Sequence, residues 1–176
     1  MAAEIIHHAI RPTSLGPISV AATRAGICHL AFANHAERLR ADHPGADIRE
    51  ECAASSALFD AAAQAVEEPM GDHDIPLDLF GTPFQLSVWE ALRAIPCGET
   101  RTYGGLAALL GSPGASRAVG AANGANRIAV LVPCHRVVQA DGSLGGYAYG
   151  LNIKRELLRR EGACIATRPQ QASLFA

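Results

Sequence analysis

Hydrophobic and polar positions along the chain follow two regimes, one before Gly81 and one after it. Ile18-Ser19-Val20-Ala21-Ala22 and Cys28-His29-Leu30-Ala31-Phe32 are short alternating runs on either side of Thr23-Arg24-Ala25-Gly26, which predicts a β-hairpin. Leu58, Ala62 and Val66 recur four apart within an Ala-rich stretch and predict a helix. Ile75-Pro76-Leu77-Asp78-Leu79 alternates again, and its proline, which has no N–H to donate, confines the predicted strand to a sheet edge. His7-His8 reads as a strand pair pointing to opposite faces, and Cys28 as a small buried apolar residue. Residues 1–80 are therefore expected to form a small α/β lobe, a mixed or antiparallel sheet with helices, in a structural role.

After Gly81 the period changes. Thr82-Pro83-Phe84-Gln85 has the form of a capping box, with proline at the first helical position, and Phe84, Val88, Leu92 and Ile95 follow at helical spacing. Pro96-Cys97-Gly98 stops this helix. A second helix is predicted from Tyr103 to Leu110 behind Thr102, a turn at Gly111, and a third helix from Ser112-Pro113 to about Gly124. Helix, short turn, helix is an arrangement that can set its second helix in a DNA groove, and the small face Gly114, Ala118, Ala121, Ala122 suits close approach to a duplex or plain helix packing. The fold class expected is α+β: the N-terminal lobe (1–80), a mainly helical C-terminal domain with a helix-turn-helix (81–164), and a flexible tail (165–176).

Composition narrows the class. With 176 residues, 49% hydrophobic and 18% charged, the chain can bury a core, which excludes disorder, collagen and coiled coil. No apolar stretch approaches the ~18 residues of a membrane span, and Met1 to Ile10 lacks the form of a secretory signal, so a cytoplasmic protein without membrane partners is expected. Five cysteines without CxxC spacing suggest reduced thiols and neither a disulfide framework nor a zinc knuckle. The net charge of -2 hides an asymmetry: five Arg against 12 acids before residue 81 give -7, and 10 Lys or Arg against five acids after it give +5. A basic second half is what a phosphate-contacting surface requires, although a solvated basic face has the same composition.

The densest chemistry lies in Ile128-Ala129-Val130-Leu131-Val132-Pro133-Cys134-His135-Arg136-Val137-Val138, where a predicted buried strand delivers a Pro-Cys-His triplet. A thiolate is a strong nucleophile, and an imidazole or cation nearby increases its ionised fraction. In an extended chain, however, residues 134 and 135 point to opposite faces. His135 then needs a backbone bend or a bridging water to take the Cys134 proton.

Gly81-Thr82-Pro83-Phe84-Gln85, Ile95-Pro96-Cys97-Gly98-Glu99-Thr100, Tyr103, Arg117-Ala118-Val119-Gly120, Asn126, Pro133-Cys134-His135-Arg136-Val137 and Leu157-Leu158-Arg159-Arg160-Glu161-Gly162 together resemble the O6-alkylguanine-DNA alkyltransferase family, bacterial type, over residues 81–162. The resemblance implies direct, irreversible transfer of an alkyl group from guanine O6 in double-stranded DNA to Cys134, after the nucleotide is rotated out of the duplex. It implies that His135 acts through a water as the base, that Glu161 orients the imidazole, that Asn126 stabilises the turn holding the active segment, that Tyr103 donates to the leaving guanine, and that Lys154 supplies a supporting ammonium. Val137 and the Tyr147-Ala148 loop would line the base pocket. Arg117 would fill the vacated place in the stack, on a helix whose Ala118, Ala121, Ala122 and Asn123 meet the DNA.

No metal or organic cofactor is implied, and the protein is expected to act as a monomer. Two departures from the family are Gly124, where relatives often carry a basic residue, and Gly104-Gly105, which would fray the first helix of the pair. Cys97 lacks a following His and is assigned no chemistry. In the tail, Gln171-Ala172-Ser173-Leu174-Phe175 resembles the bacterial sliding-clamp-binding pentapeptide, with Gln171, Leu174 and Phe175 as anchors. Two other functions share parts of this pattern: a non-catalytic binder of alkylated bases, which would lack the cysteine, and a Cys-His hydrolase, which would turn over many times.

Overall fold

In the computed structural model, which describes residues 3–33, 36–71 and 73–164, the first lobe runs β1 (Ile5–Arg11), β2 (Ile18–Ala22), β3 (Ile27–Phe32), α1 (Ala36–Asp42), β4 (Asp47–Glu50) and α2 (Ala53–Glu67). The sheet order is β3-β2-β1-β4; β2 is antiparallel to both neighbours, and β4 pairs parallel to β1. The predicted hairpin is β2–β3, closed by the Thr23 N–H donating to the Gly26 carbonyl at 3.0 Å. His7 and His8 are successive residues of β1.

Every residue of β2 and β3 is buried, so the alternating runs do not mark a half-solvated sheet. One face, with Ile18, Val20, Leu30 and Phe32, packs with Phe59, Ala62 and Val66 of α2. The other carries Ala21 and Cys28 against Leu39 of α1 and Ile6. Both faces are covered, which is why Cys28 sits in the interior and its thiol is pushed up to about 12, first by burial.

Ile75–Leu79 forms no strand, contrary to the alternation. Only Leu77 bridges β3, at Ile27. The Ile27 N–H donates to the Pro76 carbonyl and the Asp78 N–H to the Ile27 carbonyl, both at 2.8 Å. The segment comes so close to the hairpin turn that a Cβ on Gly26 would overlap the Pro76 carbonyl.

The rest of the described chain comprises α3 (Pro83–Arg93), β5 (Arg101–Thr102), α4 (Tyr103–Leu109), α5 (Ser116–Gly124), a 3₁₀ turn at Cys134–Arg136, β6 (Val137–Val138) and α6 (Leu151–Arg160). The capping box at α3 forms as expected: the Gln85 N–H donates to Thr82 Oγ1 at 3.3 Å, and the Thr82 N–H donates to Gln85 Oε1 at 2.9 Å. Val88, Trp89 and Leu92 are the buried face of α3. Trp89 Nε1 donates to the Ala122 carbonyl at 2.9 Å and so fixes α5 against α3.

α4 starts at Tyr103 despite Gly104-Gly105, because Thr102 caps it by accepting from the Gly105 N–H at 3.0 Å. α5 starts four residues later than the sequence suggested, at Ser116, and Gly114 lies in the preceding turn. One apolar core includes Val20, Leu30 and Phe59 together with Val88, Leu106, Val119 and Ile128, so packing is continuous across Gly81.

Two glycine substitutions should move stability in opposite directions. Gly26→Ala drives a methyl into the Pro76 carbonyl at a positive φ and is expected to cost about 1–3 kcal/mol. Gly104→Ala, a helical position with nothing within 4 Å, should add about 0.5 kcal/mol. Urea midpoints of the two variants, read against the parent, check both signs.

Candidate active site

The segment leading into Cys134 is a turn and not the strand its apolar run predicts. Ile128 alone bridges β3, at Leu30. The Leu30 N–H donates to the Arg127 carbonyl and the Ala129 N–H to the Leu30 carbonyl, each at 2.9 Å. The chain then turns back on itself, and Val130 takes φ 68, a left-handed conformation that a β-branched residue rarely adopts. Asn126 closes the turn from inside: its Oδ1 accepts from the Ile128 N–H at 2.9 Å, and its Nδ2 donates to the Val132 carbonyl at 2.9 Å and the Ile128 carbonyl at 3.4 Å. Pro133, without an N–H, ends any ladder, and the Cys134 N–H folds onto the Val132 carbonyl at 2.7 Å.

Cys134, His135 and Arg136 thus form a single 3₁₀ turn, with side chains about 120° apart where a strand would set them about 180° apart. His135 is fully buried and its Nε2 lies 2.7 Å from Glu161 Oε1. Glu161, just past the end of α6, also accepts from Arg136 Nε at Oε2 and from Arg136 Nη2 at Oε1, both at 3.0 Å. Arg136 Nη1 in turn donates to the Ile95 carbonyl at 2.6 Å, tying the group to the end of α3. At Gly98 a Cβ would meet the Glu161 carbonyl at 2.8 Å, so the Pro96-Cys97-Gly98 turn closes directly over this residue.

Burial alone would raise the Glu161 carboxyl, but its bonds to His135 and Arg136 prevail and it lies below the ordinary carboxylate range. Burial pushes His135 the other way for a base, below 6.5, with Glu161 opposing. A neutral imidazole beside a carboxylate must donate from Nε2, which leaves Nδ1 as the acceptor, and Nδ1 has no hydrogen-bond partner among the described residues.

Lys154 of α6 is also fully buried. Its ammonium donates to the carbonyls of Val137 (2.6 Å), Leu144 and Gly146 (3.4 Å), which braces the segment after Cys134 against the 144–146 loop. Desolvation lowers it to about 8, with the Cys134 sulfur opposing. Cys134 itself is raised, first by burial, against the lowering influence of Asn126, the Lys154 charge and the Tyr147 hydroxyl. The resting residue is a protonated thiol in the wall of a cavity of about 300 Å³, lined also by Tyr103, Asn123, Asn126, Tyr147, Ala148 and Tyr149 among others.

Of the residues singled out in the sequence, Tyr103, Asn126, Tyr147 and Ala148 line this cavity with Cys134, while His135, Glu161 and Lys154 stand behind it. Val137 does not line it: its side chain belongs to the core, and its carbonyl is held by Lys154. On α5, Arg117, Ala118 and Ala121 are exposed, whereas Ala122 and Asn123 face inward, because the Trp89 bond to Ala122 sets the rotation of the helix. Asn123 meets the cavity instead. The sequence pattern assigns no role to Arg136 or Tyr149, although Arg136 stands in the Pro-Cys-His-Arg run and Tyr149 in the Tyr147-Ala148-Tyr149 alternation. Gln171, Leu174 and Phe175 lie outside the described residues.

An α+β chain that presents a buried cysteine over a cavity, backed by a histidine–carboxylate pair, belongs by class among proteins that use a cysteine thiol as nucleophile. Residues 83–163 match the family described as 6-O-methylguanine DNA methyltransferase, DNA binding domain. The chain is 40% identical over 163 residues to a methylated-DNA--protein-cysteine methyltransferase of Methanosarcina acetivorans, covering 90% of this chain and 100% of that protein. It is 41% identical over 157 residues to one from Mycobacterium tuberculosis, covering 89% and 93%. A crystal structure of Mycobacterium tuberculosis OGT in complex with DNA superposes with a TM-score of 0.76 at 39% identity, over 88% of this chain and 92% of that one. The chain belongs to the methylated-DNA--protein-cysteine methyltransferase family. These relatives are named neither as non-catalytic binders nor as hydrolases.

The buried pair generates an acid sensitivity. The folded Glu161 carboxyl lies below 4.5, so its contribution to stability is complete above about 4.5 and is lost as pH falls through the folded value. Folded His135 lies below 6.5, so the unfolded chain takes that proton first, and stability also declines as pH falls from about 6.5. Urea unfolding between pH 7.5 and pH 3.5 should show both limbs, and Glu161→Gln should make the lower one shallower, the remainder coming from Glu51, Glu67 and Glu156, which are also held low. Parallel curves for parent and variant would refute this assignment.

Proposed function

We propose that this chain repairs O6-alkylguanine in double-stranded DNA by a single, irreversible transfer of the alkyl group to Cys134. The observation that carries this reading is the buried Cys134 thiol in the wall of a base-sized cavity, beside a histidine whose Nε2 is committed to Glu161 and whose Nδ1 is open. His135 Nδ1 takes the thiol proton through a bridging water. The sulfur electron pair forms the S–C bond to the alkyl carbon, the C–O6 bond breaks, and its electrons pass into the guanine ring. Tyr103, kept protonated by burial, donates to the departing base, and the Glu161 carboxylate stabilises the imidazolium as it forms. The product is a thioether, which this relay has no means of cleaving, so each chain acts once.

A 300 Å³ cavity is at the lower end of small-molecule sites and suits one purine, which must leave the duplex at a cost of a few kcal/mol. Arg117, exposed at the start of α5, takes the vacated place in the stack, and Ala118 and Ala121 let the helix approach the groove. Tyr103 through Glu161 complete the site within one chain, which supports action as a monomer. No helix among the described residues is long and apolar enough to cross a membrane; a cytoplasmic location belongs to this reading because the substrate it assigns is chromosomal DNA. The Gln171, Leu174 and Phe175 anchors belong to this reading as a sliding-clamp contact; it fails if a labelled peptide of residues 168–176 binds no clamp, or binds equally well with Leu174→Ala.

The decisive experiment incubates the protein with a duplex carrying one O6-methylguanine and measures its intact mass. One methyl group, about 14 Da, should appear on Cys134, saturate at one per chain and be absent from Cys134→Ser. Tight binding without a mass gain would overturn transfer. Because protonation of His135 removes the base, and its folded value lies below 6.5, the single-turnover rate should be level near neutrality and fall only on the acid side of about pH 6.5.

A further inference from the structure

Beside the lesion cavity lies a second one of about 210 Å³, and the two share the wall Gly124, Asn126, Ala148 and Tyr149. Its chemistry differs from that of its neighbour. Arg127 is ion-paired with Asp42, and Arg38 Nε lies 3.6 Å from the same Asp42 oxygen. Two guanidinium groups therefore face one carboxylate, and Asp42 is the only acidic residue among the described residues lining the cavity.

The surplus positive charge is only partly compensated. Arg127 is lowered first by burial and then by the charge of Arg38, as expected for two like charges held together at a half-buried site. Each guanidinium has five N–H donors in a planar fork that matches the two oxygens of a carboxylate or phosphate, and Asp42 cannot occupy them all. The shared wall is open at Gly124, where a Cβ would meet nothing within 4 Å. Arg127 follows Asn126, whose amide holds the turn into Cys134, so this charge sits one residue from the catalytic turn.

We propose that this cavity is an oxyanion subsite of the lesion pocket, in which Arg38 and Arg127 bind one anionic group of the damaged strand. The inference rests on the alkyl transfer proposed above. Two sources present that chemistry: a backbone phosphate next to the extruded nucleotide, and the carboxylate at the end of an O6-carboxyalkyl adduct. Arg38 and Arg127 touch no reacting atom, and no bond is made or broken in this cavity. Their contribution is to hold the substrate.

The test measures single-turnover transfer to Cys134 in the full-length chain, comparing the parent with Arg38→Gln and Asp42→Asn. Arg38 has a side chain 60% exposed, so its loss leaves packing intact. Three substrates are used: a duplex with O6-methylguanine, the same duplex with O6-carboxymethylguanine, and free O6-methylguanine base. Arg38→Gln should slow transfer by about three- to tenfold, and Asp42→Asn, which unmasks positive charge, should accelerate it.

If the anion is a phosphate, both duplexes respond equally, the free base is unaffected, and the salt dependence of binding loses about one ion equivalent in Arg38→Gln. If it is the adduct's carboxylate, only the carboxymethyl duplex responds. Unchanged rates in both variants on all three substrates would overturn the subsite. So would losses of equal sign in both, since a purely structural ion pair weakens whichever partner is removed. A parent protein that alkylates on none of the substrates would instead refute the transfer itself.

Discussion

The amide of Asn126 is the constraint on which the site depends. Its three hydrogen bonds hold the turn from Ile128 to Val132, and that turn carries Val130 at φ 68, a conformation that costs about 1–3 kcal/mol and persists only where its surroundings enforce it. The enforcement comes from two directions. Asn126 acts from within, and the backbone of Leu30, on the outer strand of the first lobe, pairs with Arg127 and Ala129 from without. The N-terminal sheet thus acts through its backbone: it is the template against which the turn leading to Cys134 is set. A continuous core across Gly81 follows from this requirement, because a strand edge that moved relative to α3 and α5 could not fix a turn lying between them.

Behind the turn lies a second constraint, electrostatic in kind. Glu161, His135 and Lys154 are buried, and a buried ion is tolerated only when its bonds are satisfied. Glu161 accepts from His135 and twice from Arg136, and Lys154 donates to three carbonyls. The arrangement is directional. Arg136 fixes the carboxylate, the carboxylate fixes the tautomer of His135, and the tautomer leaves Nδ1 as the one open acceptor. Removing Arg136 would leave each of these residues in place and still loosen the chain of assignments.

How much of this is legible in the sequence depends on whether the signal is local. The capping box at Thr82 and Gln85, the hairpin around Thr23–Gly26 and the cap at Thr102 are set by side chains within a few residues of the backbone they bond, and all three appear where the pattern places them. The run Ile128–Val132 misleads, because an apolar stretch reads alike as a buried strand or a buried turn; what decides between them is the Asn126 amide and the partner strand some 100 residues earlier. Ala122 and Asn123 sit on the predicted helix but turn inward, since its rotation is set by Trp89, 33 residues away. Pro-Cys-His-Arg marks the candidate nucleophile from sequence alone. The link from Arg136 to Glu161 and the second cavity between α1 and the Asn126 turn are tertiary facts with no local trace.

The neutrality of the resting thiol is the feature that reconciles this design with single use. A protein consumed by one reaction loses its function to any stray electrophile, and an exposed low-pKa thiolate would meet many. Burial raises Cys134 and keeps it a thiol, while His135, held neutral, cannot by itself stabilise the ion pair that deprotonation creates. On the proposed reading, ionisation becomes favourable only when an alkylated base fills the cavity, excludes water and offers Tyr103 a developing charge to receive its hydrogen bond. The elements that lower reactivity at rest, desolvation and a poor resting base, are the ones that strengthen each electrostatic contact once the pocket is occupied. If the cavity takes the damaged base as proposed, selectivity for the lesion and protection of the cysteine have one physical origin: the burial of a charge-forming step beside that cavity.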